Sequence, residues 1–165
     1  MSESIFENIC KYLEENNIGF KKLTHEPTYT SEESAAARGE DVRIGGKAIV
    51  LNVDDIFRLF VLSAALRIDS GAIKKYLSAK RIRFASEEEL IDFTGLRPGS
   101  IPPFGDPILP FSLYVDESIL LNQKIAFNAG SLTNSIVMTV QDYIALTKPE
   151  IFRFSKGDLP ISGSS

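Results

Sequence analysis

Three stretches of this chain carry residues that could do chemistry, and none is a conventional nucleophile–base pair. The first is Lys47, which opens the strongly apolar run 47–53. Lysine is seldom buried without a partner. At a strand mouth it can snorkel to solvent, or it can point its ammonium into a cleft and hold a phosphate or a carbonyl oxygen. The second is the loop Pro98-Gly99-Ser100-Ile101-Pro102-Pro103-Phe104-Gly105. Its glycines allow unusual backbone angles, and its prolines fix the loop's shape. Such a loop can aim the N–H groups of Gly99, Ser100 and Ile101 at one point where an oxyanion would form. It can equally be an ordinary surface loop. The third is Phe127-Asn128-Ala129-Gly130-Ser131-Leu132-Thr133-Asn134, where small and polar residues either line a small pocket or turn the chain.

Other chemistries fail on counting. The chain has one histidine, His25, and one cysteine, Cys10. A zinc site built on His and Cys needs three or four such ligands. A Ser-His-Asp triad would have to use His25, and no G-x-S-x-G elbow accompanies it. His25 stands in Thr24-His25-Glu26-Pro27, at a strand exit, either bonded to backbone or on the rim of a site. Cys10 falls on the apolar stripe of the first helix, where an inert buried thiol is expected. Gly45-Gly46-Lys47 is no phosphate loop, because Asp41 replaces the first glycine of the pattern and Ala48 follows the lysine. No metal or cofactor is expected.

The elements that must position these residues follow from periodicity and punctuation. Ile5, Phe6, Ile9, Tyr12 and Leu13 recur at helical spacing, and Asn16, Asn17 and Gly19 end that helix. A strand is expected over 20–23. Thr30-Ser31-Glu32-Glu33 is a capping box, and Gly39 stops the short helix it starts. Residues 47–53 and 56–63 read as a hairpin turning at Asp54-Asp55, in a sheet covered on both faces. Asp69 or Ser70 caps a helix ending at Leu77, and 81–85 is a strand. A second capping box, Ser86-Glu87-Glu88-Glu89, leads a helix stopped by Gly95. Residues 95–110 are too rich in Gly and Pro for regular structure. Strands follow near 111–115, 124–128 and 135–140, then a helix ending before Pro149 and a closing strand near 151–154. Hairpins mixed with single helices indicate an α+β fold with a mixed, largely antiparallel sheet and flanking helices.

The 165 residues suit one compact domain over 1–160, with a flexible tail at 161–165. The single cysteine fits a reducing cytoplasm. No secretory leader pattern or membrane-length apolar run is visible, so no membrane partner is expected. The net charge of −4 argues against a protein that coats nucleic acid, and no DNA partner is expected. A local basic cluster, Lys74, Lys75, Lys80, Arg81 and Arg83, is either a solvated helix end and strand or a landing site for an RNA backbone.

Taken in order, these pieces resemble the YbaK/EbsC family and the editing domain of bacterial prolyl-tRNA synthetases. The resemblance runs from about Thr24 to Tyr143. It rests on Thr30-Ser31-Glu32-Glu33-Ser34-Ala35-Ala36-Ala37-Arg38-Gly39, on Lys47 opening an apolar strand, and on the G-x-x-x-P loop Gly99-Ser100-Ile101-Pro102-Pro103 followed by Phe104-Gly105. Asn128-Ala129-Gly130-Ser131 and Gln141-Asp142-Tyr143 complete it.

The resemblance implies a free-standing hydrolase that removes a small amino acid from mischarged tRNA, such as tRNA for proline, by substrate-assisted ester hydrolysis. It makes Lys47 and Gly99 the central residues. Thr30, Ser100, Ile101, Pro103, Asn128, Gly130 and Ser131 would contact substrate. Lys74, Lys75 and Arg81 would meet the tRNA, whose acceptor end is the partner, together with a possible synthetase. Many alanine-specific relatives carry a histidine in the segment matching 130–134; none stands here, which bears on the amino acid and not on the reaction class. Two other readings stay open: a non-catalytic tRNA- or synthetase-binding module of the same fold, and a hydrolase for another small ester.

Overall fold

The computed structural model describes residues 4–157, so the expected tail at 161–165 lies outside the described residues. Helix α1 (Ile5–Glu15) starts where the Ser4 hydroxyl accepts the Glu7 N–H, and it buries Ile9, Cys10 and Leu13. Burial raises the Cys10 thiol pKa, in keeping with an inert core cysteine. Strand β1 (Lys21–Thr24) leads to helix α2 (Ser31–Arg38). Both halves of the α2 capping box form, and Gly39 closes the helix at φ +70°.

Strands β2 (Gly46–Val53) and β3 (Ile56–Ser63) form the expected hairpin. Asp54 and Asp55 both take positive φ, 48° and 70°, the signature of a two-residue turn whose twist matches its strands. The Asp54 carboxylate also accepts the Lys80 and Arg81 N–H groups, which fixes the approach to a later strand. A two-residue strand, β4 (Arg67–Ile68), precedes α3 (Ser70–Leu77), capped by Asp69. Then come β5 (Ile82–Phe84), α4 (Glu87–Thr94), β6 (Leu113–Asp116), β7 (Lys124–Asn128), β8 (Asn134–Thr139), α5 (Val140–Thr147), β9 (Glu150–Phe152) and β10 (Ser155–Lys156).

The strands make a five-stranded sheet, β5-β2-β3-β6-β9, a three-stranded sheet, β1-β8-β7, and the pair β10-β4. The β3–β6 and β6–β9 pairs are parallel and the others antiparallel. The fold is therefore α+β with a mixed, largely antiparallel sheet, as expected. Alternate residues of the hairpin serve two cores. Phe60 and Leu62 pack with Ile73, Phe152 and Phe154 on one face, and Val61 packs with Phe104, Phe127 and Tyr143 on the other. Among the described residues, no helix is long and apolar enough to cross a membrane.

The second capping box gives a testable pH dependence. The Glu89 carboxylate is held at a pKa of about 2 by Arg83 and by the Ser86 backbone N–H. Its contribution to the folded state is complete above the ordinary carboxylate value and is lost only as pH falls toward 2. A carbon-detected NMR titration should show Glu89 still ionised at pH 3, and Arg83→Ala should move its midpoint upward.

Candidate functional site

The site lies where the two larger sheets leave a gap. Strand β5 pairs with β2 only along Leu51, Asn52 and Val53. One further bond, from the Ala85 N–H to the Val50 carbonyl (3.0 Å), ends the ladder. Backbone groups of a strand point alternately to its two sides. Those of Ala48 therefore point to the same side as those of Val50, but beyond the end of β5. This open half-strand forms one wall of a cavity of about 370 Å³. The first turn of α2, the 98–101 loop, Asn128 and Leu132 form the other walls.

Lys47, on β2, lines this cavity. Its Nζ donates to the Leu66 carbonyl at 2.6 Å, and burial pushes its pKa below the ordinary lysine value, with Glu32 opposing the shift. Gly99 lies opposite at φ +87°, a backbone conformation that suits glycine. Its carbonyl accepts from Asn128 Nδ2 at 2.6 Å. Asn128 Oδ1 in turn accepts from Arg38 Nη2, and Arg38 Nε donates to Ser135 Oγ, both at 3.0 Å. A polar chain thus runs from β8 through Arg38 to the Gly99 loop. Burial lowers the Arg38 pKa to about 10, which leaves it charged at neutral pH. His25 joins the far end of this chain, with Nε2 2.9 Å from Ser135 Oγ and Nδ1 2.9 Å from the Glu26 carbonyl. A carbonyl can only accept, so Nδ1 carries the proton in that contact. His25 is therefore bonded to backbone and does not line the cavity.

Among the described residues, Lys47 and Arg38 are the only charged ones lining the cavity, and no carboxylate lines it. Neither cation makes a salt bridge among the described residues. The pocket of this acidic chain is thus suited to an anion.

The structure brings together Lys47, Gly99, Ile101, Asn128 and Thr30 on the cavity wall. The other four residues expected to contact substrate lie behind that wall. The Ser100 N–H and hydroxyl both donate to the Arg97 carbonyl (3.1 and 2.7 Å), so that N–H is already engaged within the loop. The N–H groups of Gly99 and Ile101 make no hydrogen bond among the described residues. The Ser100 carbonyl accepts the Gly130 N–H at 3.0 Å, tying the loop to the turn after β7. Gly130 has φ +79°, and a Cβ there would stand 2.8 Å from Ile5, so its small size serves the packing of α1. Pro103 is buried, and its carbonyl accepts the Tyr143 hydroxyl at 2.6 Å. Ser131 Oγ is engaged by Thr133 and Asn134 within its own turn. Lys74 and Lys75 are exposed on α3, and Arg81 is exposed before β5; none of the three lines the cavity.

Sequence reasoning missed Arg38 as a wall residue, along with Tyr29, Phe84 and Leu132. A signal for Arg38 was present. Ser31, Ser34 and Arg38 recur at helical spacing on one face of α2. Ser34 is nevertheless buried, and its hydroxyl meets Thr28 Oγ1 at 2.7 Å.

Residues 25–146 match the aminoacyl-tRNA editing domain family. The chain belongs to this family. The editing domain is 28% identical over 156 residues to the Multifunctional Ser/Thr-tRNA deacylase ProXp-y of Escherichia coli (strain K12), covering 91% of this chain and 92% of that protein. It is 38% identical over 101 residues to the Proline--tRNA ligase of Shouchella clausii (strain KSM-K16), covering 61% of this chain and 18% of the ligase. A crystal structure described as that of a candidate trans-editing enzyme for prolyl tRNA synthetase superposes on the editing domain with a TM-score of 0.81. That protein is 25% identical, and the match covers 95% of this chain and all of the other. The family and the fold expected from the sequence are those found.

Proposed function

We propose that this editing domain acts in trans on mischarged tRNA, hydrolysing the ester between a small amino acid and the terminal ribose. The observation that carries the reading is the cavity wall: among the described residues it holds two cations outside any salt bridge, a glycine loop with free N–H groups, and no acid, base or nucleophile pair. Lys47 would hold the phosphate next to the terminal ribose. The Gly99 and Ile101 N–H groups would face the carbonyl oxygen as it gains negative charge. Water's oxygen bonds to the acyl carbon, the acyl C–O bond breaks, and a proton passes to the departing ribose oxygen. A neighbouring ribose hydroxyl can relay that proton, so no side chain has to titrate. Positioning an already labile ester supplies much of the acceleration.

A cavity of about 370 Å³ must hold both ribose and acyl group, which favours a small amino acid. Such misfits are also the ones a synthetase excludes poorly by binding alone. Alanine, serine and cysteine fit on size, and the name of the Escherichia coli relative adds threonine. Lys74, Lys75 and Arg81 would meet the RNA backbone outside the cavity. The match to part of a prolyl-tRNA ligase makes a synthetase a reasonable companion, in the cytoplasm where charging occurs.

The test is a panel of alanyl-, seryl-, cysteinyl- and threonyl-tRNA, on tRNA for proline and on the serine and threonine tRNAs. Catalytic amounts of protein should release at least one amino acid over many turnovers and spare correctly charged prolyl-tRNA. Binding of charged tRNA without loss of the ester would overturn the hydrolase in favour of a binding module. Activity confined to small aminoacyl-adenosine esters would place the substrate elsewhere.

A further inference from the structure

Two exposed aromatic rings stand at the cavity. Tyr29 is 76% exposed and Phe84 is 62% exposed, and both line the cavity. Single exposed apolar residues are common on protein surfaces. These two differ because they come from unrelated elements, the segment before α2 and the end of β5, yet line one cavity. Other exposed aromatics are occupied. Tyr76 stacks on Phe152 with ring centres 3.8 Å apart, and Phe93 packs on Phe57 at 4.7 Å. Neither Tyr29 nor Phe84 contacts another aromatic ring among the described residues. Their backbones are nonetheless held. The Tyr29 N–H donates to Glu33 Oε1 at 2.9 Å, and Phe84 pairs with Leu51.

We infer that Tyr29 and Phe84 form a stacking rim for the nucleobase at the acylated 3′ end of an RNA. This rests on the deacylase reading of the cavity. Size and charge select this occupant. The cavity has room for a ribose and a small acyl group, so the base attached to that ribose must lie at the mouth. The wall carries Lys47 and Arg38 and no carboxylate, so the ligand is anionic where it enters. A nucleotide presents both an anion and a flat π face, and stacking accepts any base.

The probe is an RNA minihelix with 2-aminopurine replacing its terminal adenine, carrying alanine through a non-hydrolysable amide. Stacking quenches 2-aminopurine, so the wild type should quench on binding. Tyr29→Ala and Phe84→Ala should each weaken binding about 5- to 100-fold and remove part of the quench. In multiple-turnover hydrolysis of the ester, KM should rise by a similar factor with kcat little changed. Tyr29→Phe and Phe84→Tyr should restore both properties. Both side chains are exposed, so the variants should keep the wild-type melting temperature. Unchanged quench and affinity in the double alanine variant would overturn the rim. So would a changed preference among amino acids with the quench intact, because the rings would then hold the acyl side chain. A wild type that quenches the probe but hydrolyses no ester would overturn the deacylase reading and leave the rim standing.

Discussion

Lys47→Ala is expected to slow ester hydrolysis about 100- to 1,000-fold, the cost of removing one preorganised electrostatic contact. Single-turnover rates at saturating protein would measure it. The variant should be at least nearly as stable as the parent. Burial lowers the Lys47 pKa, so its charged form costs stability in the folded state at neutral pH. That cost is relieved as pH rises through the lowered value, because the unfolded chain then holds the proton more tightly than the folded one. Among the described residues Nζ donates to the Leu66 carbonyl alone, and the substitution removes that donor, a loss of about 1 kcal/mol. Collapse of activity with retained stability would mark a residue kept for its function. Wild-type activity above the Lys47→Ala background should decline in alkali below the ordinary lysine range. Lys47→Arg should not rescue the rate, because a planar fork cannot replace a compact ammonium in that space.

Tyr143→Ala is expected to cost about 3–5 kcal/mol, since it removes a fully buried aromatic ring. Urea denaturation would read this directly. Tyr143→Phe is the more informative change. It keeps the ring against Phe104 and removes only the hydroxyl that donates to the Pro103 carbonyl. Roughly 1 kcal/mol of stability should go with that bond. Hydrolysis should slow as well, because the same loop carries Gly99 and Ile101 four and two residues earlier. Unchanged kinetics in the Phe variant would show that the loop keeps its shape without the tether.

The elements were legible wherever a local rule sets them. Both capping boxes, the glycine stops at Gly39 and Gly95, and the Asp54-Asp55 turn depend on residues within a few positions of one another. What escaped depends on distant partners. Strands β4 and β10 are two residues each and exist only because they pair with each other. The parallel β3–β6 contact joins residues more than fifty apart, which periodicity cannot register. The site divides in the same way. Lys47 and Gly99 stood out because a lysine opening an apolar strand and a Gly-Pro loop are locally unusual. A Gly-Pro loop does not reveal which of its N–H groups stay free, and the fold gives that of Ser100 to the Arg97 carbonyl. Arg38 escaped because its partners, Asn128 and Ser135, lie about ninety residues away.

The first half of β2, paired with β3 on one side and open beyond the end of β5 on the other, has a consequence for how this protein meets other molecules. An open strand edge is a template on which another chain can add a strand, and proteins commonly blunt such edges with charge or cover. Here Lys47 supplies the charge, and the first turn of α2 and the 98–101 loop supply the cover. The backbone of Ala48 therefore faces a walled cleft sized for a small molecule and not a bare sheet edge. One arrangement makes room for a ligand and covers the strand edge that it leaves open.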